Sequence, residues 1–200
     1  MSRTTTTAVL HALRSSDDEM AWNVLVQRYE PILIAIGRRY GLGQEDARDV
    51  SQQTLLECVR GLRGGSYDRE RGRLRHWLAS IARHRAIDAR RQRSRRAGRT
   101  DPNWQPIDDD DDAALELAWE EECRRTILRT AMERLRDESR ADKRTLDAFD
   151  LVAIRGASAE TAAAATGLSV SQVYLAKHRT AARLREIVRE IEEAYAEDHP

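Results

Sequence analysis

The sequence predicts an all-α protein of two small helical domains joined by an acidic linker. Three observations carry this. Nearly every apolar pattern recurs at helical spacing, and no stretch alternates long enough to read as a strand. Capping signals precede several of these runs and glycines end several of them. Between the two sets of helices lies RTDPNWQPIDDDDD, whose two prolines and acidic run mark an interdomain segment. With 200 residues, 40% of them apolar, each half can close a modest core. The boundaries read as 16–98, 99–116 for the linker, and 117–195.

The first helix is expected to start at Ser16, where Ser16 and Glu19 have the spacing of a capping box and Asp17 and Asp18 suit the positive end of the dipole. Its apolar stripe runs Trp22, Leu25, Val26, Tyr29, Ile32, Leu33, Ile36, Tyr40, with Pro31 expected to kink or break it. A second helix, about 45–62, buries Ala47, Val50, Leu55, Cys58 and Val59. Its opposite face carries Asp49, Gln52, Gln53, Leu56 and Arg60, polar apart from Leu56. After a glycine-rich charged loop comes a helix with Leu74, Trp77, Leu78, Ile81 and Ala82 on one arc. His76, Arg83 and Arg90 recur on the other side, and Trp77, His84 and Arg91 line one border. Beyond the linker, helices are expected around 117–135 and 145–155. Then Ser158 caps a short helix, Gly167 breaks it, and Ser169 with Gln172 opens a long final one. That last arrangement has helix-turn-helix spacing.

Net charge is zero, yet the chain is strongly polarised. Residues 60–99 hold fourteen arginines against three acids, a net of +11, and 101–122 hold ten acids and no Lys or Arg. Local field rather than total charge steers an anionic partner such as nucleic acid. Cys58 and Cys123 are far apart and form no metal or disulfide pattern. The five histidines share no ligand spacing, so neither metal nor cofactor is expected. No Walker loop, Ser/His/Asp set or HExxH is present, which argues against an enzyme. The run Asp108–Asp112 reads as solvated linker, because adjacent carboxylates in a flexible segment point apart. The longest apolar run, PILIAI, is too short to span a bilayer, and the N-terminal stretch lacks a signal-peptide core, so a cytoplasmic protein is expected.

On the helix-turn-helix reading, Ser171, Gln172, Tyr174 and Leu175 sit near bases, and Lys177, His178, Arg179 and Arg183 near phosphates. The alternative is an ordinary helical hairpin with a solvated basic face. For the arginine helix, an aromatic ring among cations suits stacking on a single strand, and the alternatives are a solvated charge face or, for Trp77, core packing.

Taken together, EDARDVSQQTLLECVRGL and YDRERGRLRHWLASIARHRAIDARRQRSRR resemble the second region of bacterial RNA polymerase sigma factors of the extracytoplasmic-function group. The segment from Gly156 through Arg185 resembles their fourth region, so the likeness covers roughly 16–96 and 117–190. It implies docking of core RNA polymerase on Asp49, Gln52, Gln53, Leu56 and Arg60. It also implies opening of the minus-ten element by Tyr67, Arg71, Arg73, His76, Trp77, Ser80, Arg83, His84, Arg90 and Arg91. The terminal module would read the minus-thirty-five element as duplex. The implied partners are core polymerase and promoter DNA, both duplex and melted, with an inhibitory anti-sigma factor as a candidate third. Gln53 departs from the family's common Glu, Tyr174 and Ala176 from its common basic residues, and the AAAA brace from its larger apolar ones. A conventional helix-turn-helix regulator, dimerising through its first domain and acting without polymerase, remains the alternative.

Overall fold

The computed structural model describes residues 6–68, 70, 72–97, 112–138 and 142–195, without the side chains of Arg96 and Ala97. Every regular element among them is helical: α1 (Thr6–Ser15), α2 (Glu19–Arg39), α3 (Gln44–Arg63), α4 (Leu74–Ala97), α5 (Asp112–Glu138), α6 (Lys143–Phe149), α7 (Ala159–Thr166) and α8 (Val170–Tyr195). A π-helical turn, Asp150–Ile154, continues α6. The chain divides into two compact units; the first runs to Thr126 and takes in Ala194 and Tyr195, and the second is Ile127–Glu193.

In the first unit α1 is a helix that the sequence reading left out. Its threonines disfavour a helix by propensity, but Val9 and Leu13 are buried in the core, and burial overrides propensity. Ser16 therefore closes α1 instead of opening α2: its Oγ donates to the Ala12 carbonyl at 3.2 Å. Asp18 caps α2, accepting from the Ala21 N–H at 2.9 Å. Arg63 of α3 holds the end of α1 by donating to the carbonyls of Leu13 and Ser16 at 3.0 and 3.2 Å.

Pro31 does not end α2. A proline inside a helix costs about 3 kcal/mol, whereas burying Ile32, Leu33 and Ile36 contributes about 1.5 to 3 kcal/mol apiece; all three are fully enclosed. On α3 the expected core residues Ala47, Val50, Leu55, Cys58 and Val59 are buried. Burial pushes the Cys58 thiol up to about 12, so it is an inert part of the core. Helices α2 and α3 approach closely at Gly37, where a Cβ would lie 3.2 Å from that of Ala47. Gly61 of α3 faces α4 across an even tighter gap, since a Cβ there would lie 2.6 Å from the Trp77 ring.

The last residues of the expected linker, 99–116, are helical. Residues 98–111 lie outside the described set, but α5 is helical from Asp112, and Leu115, Ala118 and Trp119 are buried in the first unit's core. The division between units falls inside α5, ten residues beyond the expected start at 117. An i, i+3, i+4 apolar triplet this near the acidic run was enough to draw the helix start onto the preceding core. Arg39 of α2 also holds this part of α5, donating from Nε to Glu122 at 2.8 Å and from a terminal nitrogen to Glu121.

In the second unit, Asp142 caps α6 through the Arg144 N–H. Helix α7 starts on Ser158, whose Oγ accepts from the Thr161 N–H at 3.1 Å, and ends on Gly167 at φ +70°, a left-handed conformation that glycine adopts without a steric penalty. A small core of Ala148, Ala159, Ala162, Val173 and Ala176 holds the helix-turn-helix together. Small side chains bury little area each, so this core rests on close approach more than on bulk.

Two outcomes follow from this packing. Gly61→Ala is expected to displace the Trp77 ring and lower stability by about 1 to 3 kcal/mol, read by urea denaturation with near-ultraviolet circular dichroism; an unchanged midpoint would show that the ring yields freely. The hydrogen bond and charge of Arg39 hold the Glu121 carboxyl below its ordinary value of 4.5. Its folded value is thus lower than its unfolded one, so the contribution is complete above 4.5 and lost as pH falls through the folded value. Arg39→Gln should therefore lose less stability than the parent between about pH 7 and about pH 3 in parallel urea melts.

Candidate nucleic-acid interface

Asp49, Gln52, Gln53, Leu56 and Arg60 are all exposed and form a single stripe on α3. Leu56 is 46% exposed. It edges a groove of about 350 Å³ floored by Leu13, Trp22 and Val59 and rimmed by Asp17, Asp18 and Glu19 on one side and Arg60 and Arg63 on the other. An apolar residue standing clear among polar ones, beside an apolar floor, is the composition of a protein-binding patch.

The arginines of α4 are shared out rather than massed on one free face. Two turn toward α3: Arg85 donates to Glu57 at 2.6 and 2.8 Å, and Arg93 to Asp46 at 3.3 Å. Two turn toward α5: Arg75 reaches Glu116 at 3.1 Å and Arg83 reaches Asp112 at 2.5 Å. Arg73, His76, His84 and Arg91 stay exposed, while Trp77, Ser80 and Arg90 are half-buried. Arg71 lies outside the described residues.

The structure brings His76, Ser80 and Arg83 to one groove of about 440 Å³ between α4 and α5, where Arg75, Asp112, Glu116 and Trp119 also line the walls. Arg75 was missed in the sequence, although Asp112, Glu116 and Glu120 recur every four residues and mark an acidic stripe in search of cations. Arg83 departs from the expected open phosphate contact. Only 13% of its side chain is exposed, because α5 lies over it.

Tyr67 and Trp77 are drawn together but away from open solvent. Tyr67 is buried, and its ring stacks on Trp77 with centroids 5.0 Å apart. The backbone N–H groups of Ser66 and Tyr67 both reach the Gly61 carbonyl, at 2.8 and 3.4 Å. One face of the tryptophan is therefore spent on fixing the loop before α4, and Tyr67 positions that loop instead of meeting a base in this arrangement.

In the second unit, Ser171, Gln172, Tyr174, Leu175, Lys177, His178, Arg179 and Arg183 are exposed, all but Arg183 within the first three turns of α8. Tyr174 is 59% exposed and Leu175 46%, so two large apolar side chains stand clear where base edges would lie. Ala176, in contrast, is buried in the core against α7, so a basic side chain has no room there and the departure at that position removes no phosphate contact. Gln172 closes the capping box: its Oε1 accepts from the Ser169 N–H at 2.7 Å, and its own N–H donates to the Ser169 Oγ at 3.2 Å. The cap takes one lone pair of that carbonyl oxygen and fixes the direction of the amide, so any pairing of Gln172 with a base edge has to be made from the capped orientation or at the expense of the cap. Arg183 is engaged by Glu186 at 3.2 Å and Glu138 at 3.5 Å.

Residues 25–96 match the family model for sigma-70 region 2. Within the first unit, then, the chain is similar to a sigma-70 region 2. Its match spans α3, the loop holding Tyr67 and the whole described length of α4's interface, so both surfaces described above belong to it. Among solved structures, a chain of the structure of CnrH in complex with the cytosolic domain of CnrY is similar at 22% identity, over 90% of this chain and 95% of that one, with a TM-score of 0.36. No curated protein matches the sequence. Among the described residues, no helix is long and apolar enough to cross a membrane, and no group of His, Cys, Asp or Glu side chains has the geometry to hold a metal.

The two duties of Gln172 separate by substitution. Gln172→Ala should cost the second unit about 1 kcal/mol through the lost box. Gln172→Glu keeps the capping acceptor and should melt like the parent while still losing any amide donation to a base. Thermal melts beside binding to duplex DNA of varied sequence would show whether stability and readout part in this way.

Proposed function

We propose that the chain is a sigma factor of the extracytoplasmic-function group, a cytoplasmic promoter-specificity subunit with no catalysis of its own. The sigma-70 region 2 over 25–96 carries this reading, followed as it is by a separate helix-turn-helix. The α3 stripe would bind core RNA polymerase, with Leu56 inserted at the centre of the contact and Asp49, Gln52, Gln53 and Arg60 setting its polar rim. The α4 face would take the non-template strand of the minus-ten element. Arg73, His76, Arg83, Arg90 and Arg91 would hold its backbone, and the half-buried Trp77 would stack on a base once its ring is uncovered. The start of α8 would read the minus-thirty-five element through Ser171, Tyr174 and Leu175, with Lys177, His178 and Arg179 on phosphates.

The two surfaces suit a division of labour. Duplex recognition needs a rigid helix end presented to the major groove, and the capping box supplies it. Strand opening needs cations and a stacking surface that reward unpaired bases more than paired ones. A regulator acting on duplex sites alone would have no use for the second surface or for an exposed Leu56, so that alternative is not favoured.

Run-off transcription with core polymerase on a library of promoter sequences tests partner and specificity together, with permanganate reactivity of thymines reporting strand opening. The chain should direct initiation from a defined subset of the library. Leu56→Arg should abolish co-elution with core polymerase while leaving the melting temperature of the free chain within about 2 °C of the parent, since an exposed position changes stability by less than about 0.5 kcal/mol. Intact co-elution of that variant would remove α3 as the docking face.

A further inference from the structure

We propose that the first turns of α5 are an internal stand-in for the DNA backbone, held on the α4 face until a single strand displaces them. The inference rests on the reading of α4 as the minus-ten face and concerns how that face is regulated. Asp112, Glu116 and Glu120 lie four residues apart on one side of α5. They meet Arg83 at 2.5 Å, Arg75 at 3.1 Å with His76 Nε2 at 3.7 Å, and Arg75 again at 3.8 Å. Each carboxylate offers what a phosphate offers, a negative charge on oxygens that accept from guanidinium. The groove they close contains His76, Ser80 and Arg83, three of the residues assigned to the promoter strand.

The contact is built to exchange. Asp112 is 85% exposed and the pairs of Arg75 with Glu116 and Glu120 are partly exposed, so these acids contribute little to holding α5 in place. Leu115 and Trp119, buried 4% exposed each, do that instead. Asp112 engages a single nitrogen of Arg83, and the Arg83 Nε is shielded from solvent with no hydrogen-bond partner among the described residues. A phosphate presents several oxygens and can take up donors that one aspartate oxygen leaves unused. By comparison, the acids of α3 that pair with Arg85 and Arg93 cover no residue assigned to the strand. Covered and open forms then compete with DNA, and the apparent affinity of the free chain falls by the fraction that is open.

The test uses the full-length chain and a fluorescein-labelled, mixed-sequence single-stranded oligonucleotide of about 20 nucleotides, a length within the reach of one or two binding sites, read by anisotropy at low salt. Asp112→Asn/Glu116→Gln/Glu120→Gln is expected to bind about tenfold tighter than the parent, as unmasking a face that is open about a tenth of the time would give. Removing three other charges of the first unit, by Glu19→Gln/Glu30→Gln/Glu45→Gln, should change affinity less than about twofold, since it leaves the pairs on Arg75 and Arg83 intact. Adding Arg75→Ala to the first variant should reverse most of its gain. Asp112→Asn alone, at an 85% exposed side chain where misfolding is not at issue, should tighten binding about twofold to threefold. Equal affinities for parent and unmasked chain, including no binding by either, overturn the masking, as does an equal gain in the charge-matched control. Run-off by the parent holoenzyme is scored separately: transcription with equal affinities rejects the mask alone, and no transcription rejects the sigma-factor reading.

Discussion

A helix carrying so many arginines can stand against its neighbours only if their fields are cancelled, and the first unit is organised around that demand. Helix α4 meets carboxylates on two sides, with Glu57 and Asp46 of α3 on one and Asp112, Glu116 and Glu120 of α5 on the other. Its apolar arc, from Leu74 through Ile87, is thereby free to bury. Arg73, His84 and Arg91 stay exposed outside these pairs. Charge pairing thus leaves part of α4's positive charge uncompensated and able to meet a polyanion.

Beneath the charges lies a steric constraint of similar reach. Glycines at 37 and 61 let α2, α3 and α4 approach one another without a side chain between them, and the second of these makes space for an indole ring. That ring stacks on Tyr67 and so ties down the loop that leads into α4. The exposed α3 stripe and the cationic face of α4 lie on adjoining helices of one close-packed unit, so a shift in either is felt by the other through packing.

Much of this was legible in the chain. Helical period located α3, α4 and the helix-turn-helix, and the Ser158 and Ser169 caps and the Gly167 stop appear where short-range chemistry puts them. The exposed stripe on α3 was also legible, because a face of a helix is a matter of 3.6-residue spacing alone. What the residues did not disclose depends on partners distant in sequence. Helix α1 forms because Val9 and Leu13 find a core, Pro31 is tolerated because its neighbours are buried, and α5 begins early because Leu115 and Trp119 have somewhere to go. Arg75 looks like any solvated arginine until α5 is laid beside it. Gln172 is the instructive case, since its capping spacing was visible locally and the geometry shows its amide held by the cap.

That capping duty bears on how such a protein diverges. A residue that closes a helix start drifts slowly, for any change is screened first by the fold. Neighbouring Tyr174 and Leu175 have no comparable structural duty and project freely. On the proposed reading of α8, new upstream preferences among descendants of this chain should accumulate at those two sites, while position 172 stays confined to side chains able to finish a helix start.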